Sequence, residues 1–432
     1  MIPSLKQKIS PILDKLSSIK GLPNMFEQCF FSTIQTTYKQ IEGEAFIITG
    51  DIPAMWLRDS SCQIMHYLRY ADDEKIKAFI ASVIKTQFDF INYDIYANAF
   101  NMEEGKSWDP KDLPPKLPRV WERKYETDSL CFPVMLLREY YNKTKDTAVL
   151  SEEVHIALKA IVDLFALEQR HENSSYYFIR ENCPETDTLK NNGRGTDVAY
   201  TGMTWAGFRP SDDACEYHYN VPGNLFVSRA LADIAFFAEI IGDEALKKSA
   251  IDVKNEIDEG ISRFALLNDE NGNKYFAYEL DGLGHSLFMD DANVPSLLSL
   301  PYLGALDAEN PIYQNTRKRV LSKHNRYYFE GKKASGVGSP HTPENYVWHI
   351  SLAIQAMTSL EDEEKARILD TLISSTAGTG FMHEGFDKDE PANFTRSWFA
   401  WANSLFAELV LRLYDENKLE KILSLMKNKE VK

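Results

Sequence analysis

NLFVSRALADIAFFAEII (224–241) is followed almost at once by ALKKSAIDVKNEIDEGISRF (245–264), and the contrast between these two stretches decides the fold. The first is apolar nearly all round, as a helix buried on every side must be. In the second, Leu246, Ala250, Val253, Ile257, Ile261 and Phe264 recur at steps of three and four, with Lys, Asp and Glu between them. That spacing gives a helix with one buried face and one wet one. The same succession of inner and outer helix recurs along the chain. LRDSSCQIMHYLRYA (57–71) precedes a segment with Ile76, Phe79, Ile80, Val83, Ile84 and Phe88 on one face. NYVWHISLAIQAM (345–357) precedes EDEEKARILDTLIS (361–374), and WFAWANSLFAELVLRL (398–413) precedes a short helix ending in LSLMKNK. Weaker versions cover 126–141 with 148–170 and 292–303 with 311–322, which makes six pairs.

A closed ring of six inner helices jacketed by six outer ones buries the first class completely and the second by half. The expected fold is therefore an all-α (α/α)6 toroid, with further helices at 4–20 and 24–40 on its outside. EAFIITG (44–50), YYFIRE (176–181) and KYFAYEL (274–280) are short β-rich pieces bounded by turn formers, and read as hairpins in connecting loops. Linkers, low-complexity tracts and internal repeats are missing from the sequence, so residues 1–432 read as a single catalytic domain.

Composition narrows the function. The chain carries a formal charge of −16 with no Lys/Arg stripe, which argues against a nucleic-acid partner. The first twenty residues lack the unbroken apolar run of a signal peptide, and no run is long enough to span a bilayer, so neither export nor membrane is expected. Five cysteines (Cys29, Cys62, Cys131, Cys183, Cys215) show no CxxC spacing and read as reduced thiols of a cytoplasmic protein. Phosphate-binding glycine loops, the nucleophile elbow and zinc signatures are absent from the sequence, so no cofactor and no metal are expected. Asp290, Asp291 and Asn293 lack calcium-loop spacing.

Chemistry concentrates in the loops entering the inner helices. GDIPAMWLRDS (50–60), TGMTWAGFRPSDDACEYHYN (201–220), FMDDANVPS (288–296), GVGSPHTPEN (336–345) and GTGFMHEGFDKDEPANFTRSW (378–398) are dense in Trp, Asp, Arg and His. The turns between inner and outer helices, YADDEK and IIGDEA, carry plain charges. Parallel inner helices would gather the decorated loops at one rim. Taken singly, Asp59, Asp128 and Asp291 read as helix N-caps. The adjacent pair Asp212 and Asp213 exceeds what one cap needs, and Glu384 sits among Gly and aromatics without helical spacing. Cleaving a glycosidic bond takes one protonated and one ionised carboxyl facing each other. Asp212 and Glu384, 384 − 212 = 172 positions apart, would meet across the mouth of a six-pair ring. Burial near Trp205 and Phe208, with repulsion from Asp213, would raise the pKa of the acid.

At these residues the sequence resembles a known family. GDIPAMWLRDSSCQ, WERKYETDSLCFP, YTGMTWAGFRPSDDACEYHYNVPGN, FMDDANVPSLLSLPYLG, FEGKKASGVGSPHTPENYVWHI and TGFMHEGF with FTRSWFAWANSLF are similar, in order, to glycoside hydrolase family 125, the bacterial and fungal exo-α-1,6-mannosidases. The similarity runs from about residue 24 to 410. It implies an (α/α)6 toroid and metal-independent removal of non-reducing terminal α-1,6-linked mannose with inversion, as in N-glycan degradation. It implies Asp212 as general acid and Glu384 as general base. Trp56, Arg58, Asp59, Trp205, Arg209, Asp213, His341 and Arg396 fall in its pocket-lining blocks and are implied to bind substrate. The expected partner is a mannose-containing oligosaccharide, with a monomer compatible. An inverting pair should stand about 6.5–9.5 Å apart. An inverting phosphorylase, a glycan-binding protein on the same fold and a polysaccharide lyase are the competing readings, the lyase disfavoured because it needs a cationic site.

Overall fold

A computed structural model describes residues 1–430. The succession of textures folds as expected into paired helices. The inner set is α3 (Leu57–Ile64, continued by a 3-10 stretch Met65–Tyr70), α5 (Asp128–Thr144), α7 (Val221–Ile241), α10 (His349–Met357) and α12 (Ala400–Asp415). The outer set is α4 (Glu74–Tyr93), α6 (Glu152–Glu168), α8 (Glu244–Phe264), α9 (Pro311–Val320), α11 (Asp362–Ser374) and α13 (Leu419–Glu430). α1 (Ile2–Leu16) and α2 (Leu22–Ser32) lie outside them, α2 against α12.

The ring closes. α3 packs on α5, α5 on α7, α10 on α12, and α12 back on α3. In the jacket α4 packs on α6, α6 on α8, and α11 on α13. The molecule has the (α/α)6 fold. The plain turns supply the outer N-caps: the Asp73 carboxylate accepts from Lys75 N at 2.9 Å, and Asp243 from Leu246 N at 2.9 Å. Gly242, with φ +85°, ends α7 in the left-handed conformation that a side chain would penalise.

Three expectations need correction. Residues 292–303 form no α-helix but a buried chain of turns between α7 and α10. Pro295 and Pro301 remove backbone donors there, and the Asp290 carboxylate takes Leu297 N and Leu298 N instead of a helical carbonyl. The 24–40 helix stops short. Its β-branched run widens into a π turn over Thr33–Thr37, and Tyr38–Ile41 pairs antiparallel with Glu44–Ile47, the hairpin expected around EAFIITG. YYFIRE contributes one bridge, Ile179 to Leu113, rather than a hairpin. KYFAYEL does pair, Lys274–Phe276 with Leu266–Asn268 and Glu279–Leu280 with Ser286–Leu287. Among the described residues no helix is long and apolar enough to cross a membrane. All five cysteines are unpaired, and all but Cys183 are buried.

Candidate active site

The decorated loops converge on one cavity of about 150 Å³, lined by residues from 49 to 401 that include Trp56, Arg58, Asp59, Asp212, His341, Glu384 and Arg396. The ring's two chain ends are stitched together at this rim. Asp51 N donates to Trp398 O at 3.2 Å and Ala400 N to Thr49 O at 3.1 Å. Gly50 allows the approach: at φ +142° a Cβ there would stand 2.3 Å from Trp398 O.

Asp212 is the fourth residue of a tight turn. Arg209 N donates to Asp213 O at 2.8 Å and Asp212 N to Arg209 O at 2.9 Å, which leaves Asp212 left-handed at φ +65°. Asp tolerates that conformation better than most side chains. The buried Lys124 ammonium clamps the turn through Asp212 O at 2.6 Å. The Asp212 carboxylate accepts from Asn98 Nδ2 at 3.1 Å, and Arg58 Nη2 lies 3.8 Å away. Arg58 also holds Glu126 at 2.7 Å and Asp128 at 3.0 Å.

Across the cavity, Glu384 is fixed by backbone bonds on both sides. His383 N donates to His349 Nδ1 at 3.0 Å and Gly385 N to Thr395 Oγ1 at 3.1 Å, while Gly385–Asp387 pairs antiparallel with Tyr346–Trp348. Just before that strand, His383 is buried in the core and Glu384 lines the cavity. Arg396 Nη1 lies 3.6 Å from Glu384 Oε1, while Arg396 Nε donates to both Asp51 oxygens at 3.0 and 3.1 Å. The Arg396 guanidinium also rests on the Phe399 ring, 4.4 Å from its centroid.

Charge placement departs from the expectation. Burial pushes the Asp212 carboxyl up, but a hydrogen bond with Glu126 and the charges of Arg58, Lys124 and His341 outweigh it and hold the group at about 2. The carboxyls that burial does raise lie beside it. Asp59 is pushed up to about 6, against the pull of Arg58 and Arg396, and Glu126 rises well above the ordinary carboxyl range. Asp213, invoked as a repulsive neighbour, faces away toward Ser211 Oγ at 2.9 Å. Against burial, Asp213 together with Asp212 and Glu384 raises the His341 imidazole to about 9.

Three residues implied to bind substrate sit behind the cavity wall instead. Trp205 is wholly buried, stacked between His171 (ring centroids 3.6 Å apart) and His218 (4.6 Å). Arg209 is spent on Glu279, with Nη2 donating to Oε2 at 2.8 Å. Asp213 does not line the cavity and meets it through two residues that do, His341 at 3.8 Å and Ser211 Oγ at 2.9 Å. They share a sequence block with Asp212, but the turn points them the other way. Conversely, Asn98, Lys124, Glu126, Asp51, Trp108, Trp348 and Trp401 belong to the site or its supports and were not singled out. Glu126, two residues before Asp128 in WERKYETD, was the one with a readable signal: a second acid where a cap needs one.

The chain is similar to known proteins along most of its length. A family model described as metal-independent alpha-mannosidase (GH125) matches residues 20–411. The meiotically up-regulated gene 157 protein of Schizosaccharomyces pombe is 38% identical, aligning 95% of this chain with 86% of that protein. A Streptococcus pneumoniae protein, described with a family of widely distributed metal-independent alpha mannosidases that gives insight into the processing of N-linked glycans and solved in a non-productive complex with alpha-1,6-mannobiose, is 40% identical. It superposes with a TM-score of 0.93 over 95% of this chain and 98% of that one. A bacterial glucoamylase complexed with acarbose, 12% identical with a TM-score of 0.52, covers 88% of this chain and 51% of its own, and shares the fold alone.

Proposed function

Because the chain belongs to the GH125 metal-independent α-mannosidases, we propose that it is an exo-acting α-1,6-mannosidase that works with inversion, Asp212 as general acid and Glu384 as general base. The observation that carries this reading is that both carboxyls, from distant parts of the chain, line one small cavity. Its volume of about 150 Å³ is below the roughly 300–1,000 Å³ typical of drug-sized pockets, which suits one terminal ring rather than a chain. The α-1,6-mannobiose bound by the pneumococcal relative supports the linkage.

In the proposed reaction Asp212 gives a proton to the departing O6 while Glu384 takes one from a water that attacks C1 on the opposite face, so β-mannose leaves first. Arg58 and Asp59 offer donors and an acceptor to sugar hydroxyls. Trp56, Trp348 and Trp401 give the ring apolar walls, and the exposed Trp108 at the mouth offers a face to the acceptor sugar. The unpaired cysteines support a reducing, cytoplasmic setting for one catalytic unit.

The test incubates the protein with α-1,2-, α-1,3- and α-1,6-linked mannobiose in chelator and follows the product anomer by NMR. β-Mannose should appear first, from the 1,6-linked sugar alone, and Asp212→Asn and Glu384→Gln should each lower kcat by at least about 10²–10⁴-fold. Initial α-mannose would refute inversion. Phosphate-dependent release of mannose 1-phosphate would make the protein a phosphorylase.

A further inference from the structure

Four carboxyl groups share the Arg58 guanidinium. Nη1 lies 2.7 Å from Glu126 Oε2 and 3.0 Å from Asp128 Oδ2, Nε lies 3.4 Å from Asp59 Oδ2, and Nη2 lies 3.8 Å from Asp212 Oδ1. All but Asp212 are almost completely buried. The neighbouring cations that also act on Asp212 or Asp59 each face further carboxylates. Lys124 Nζ faces Asp187 at 2.8 Å and Glu122 at 3.8 Å, Arg180 faces Asp112 and Glu122, and His341 faces Asp213. Four carboxyls around one buried guanidinium repel one another when all are ionised, which favours a proton on one of them.

Two donors bridge the same pair of these carboxyls. Asn98 Nδ2 spans Asp212 Oδ1 at 3.1 Å and Glu126 Oε1 at 3.5 Å, its amide orientation fixed by Lys124 N donating to Asn98 Oδ1 at 3.1 Å. Arg58 approaches the same two carboxyls from its own side. Burial drives Glu126 toward its neutral form while Asp212 is held low, the pattern of one proton between two oxygens. Glu126 is wholly enclosed and does not line the cavity, so it has no path to a glycosidic oxygen; Asp212 has one.

We propose that Glu126 and Asp212 hold a single proton between them, and that Glu126 is the positioning residue that keeps it available for Asp212. This rests on the reading of Asp212 as the acid. As the C1–O6 bond breaks, O6 takes the proton from Asp212. The Glu126 O–H bond breaks as the Asp212 O–H bond forms, and the Glu126 carboxylate so created is met by Arg58 Nη1 and by Ser129 Oγ at 3.2 Å. Once product leaves, solvent returns one proton to the pair through Asp212, while the proton taken from water leaves Glu384 for solvent. The arrangement lets a carboxyl set among cations act as an acid at neutral pH.

The experiment compares pH profiles of kcat/KM for the wild type and Glu126→Gln on α-1,6-mannobiose and on 2,4-dinitrophenyl α-mannoside, whose leaving group needs no proton. The alkaline limb should move down by at least about one pH unit, and turnover of mannobiose should fall about 10²-fold against less than about threefold for the aryl mannoside. An unmoved limb, or equal losses on both substrates, would overturn proton sharing. Asp212→Asn separates the two readings: if it still cleaves mannobiose, the assignment of the acid itself fails. If it is inactive while Glu126→Gln keeps the wild-type limb, only the sharing fails. Should Glu126→Gln not fold, infrared spectra of wild-type protein at pH 7 decide the matter. A protonated carboxyl band that shifts on ¹³C-glutamate labelling is expected, and its absence would refute the proposal.

Discussion

The two walls of the cavity bury charge in opposite ways. On the Asp212 wall a single guanidinium, Arg58, stands among four carboxyls. On the Glu384 wall one carboxyl faces one guanidinium, Arg396, which is anchored from the rim by Asp51. Behind Glu384 lie His349, lowered to about 3 by burial and by His383, and His383, itself lowered by burial. Both add polar contacts to that wall without adding charge. The left-handed residues Asp212 and Arg396 sit one on each wall, held there by the surrounding structure. With Asp212 as the proposed acid and Glu384 as the proposed base, the difference teaches that surplus carboxyls favour keeping a proton, whereas a carboxyl matched by one cation does not.

The comparison breaks most visibly at the two arginines. Arg58→Gln strands buried carboxylates and should cost about 3–5 kcal/mol of unfolding free energy at pH 7 in urea. Asp59, Glu126 and Asp128 all have raised pKa values, so the loss should shrink toward pH 5 as they protonate. An equal loss at both pH values would show that packing sets the cost. Arg396→Gln strands one buried carboxyl, Glu384, besides the exposed Asp51, so it should cost less stability than Arg58→Gln while lowering kcat about 10–100-fold. A large stability loss with intact kcat would erase the difference between the walls.

Asp59→Asn sharpens the contrast with a smaller effect. The folded pKa of about 6 lies above the ordinary 3.8. The favourable contribution of this group is therefore complete below about pH 4 and is lost as pH rises through 6. At pH 7 the ionised, buried carboxylate is a cost of up to about 3 kcal/mol. The variant should gain a few degrees in Tm at pH 7, gain nothing near pH 4, and bind mannose more weakly. A Tm gain independent of pH would exclude ionisation as its source.

Much of this was legible from residue order. The inner and outer textures reported burial, which depends on side-chain chemistry and helical period, so α7 with α8 and α12 could be read directly. The loops rich in Trp, Asp and Arg do meet around one cavity. What failed was direction. Trp205, Arg209 and Asp213 lie within eight residues of Asp212, yet one left-handed turn sends them behind the wall and Asp212 in front of it. The helix expected at 292–303 failed because apolar spacing cannot show that Pro295, Pro301 and the Asp290 side chain divert the backbone hydrogen bonds.

Sequence alone settled most of the helices, the faces they bury, and which loops carry ionisable groups, because these follow from local periodicity and composition. Only the tertiary structure decided which carboxyls share a cation. Asn98, Arg58, Glu126 and Asp212 come from separate segments, and whether each carboxyl keeps its proton depends on distances of a few ångströms fixed when the ring closes.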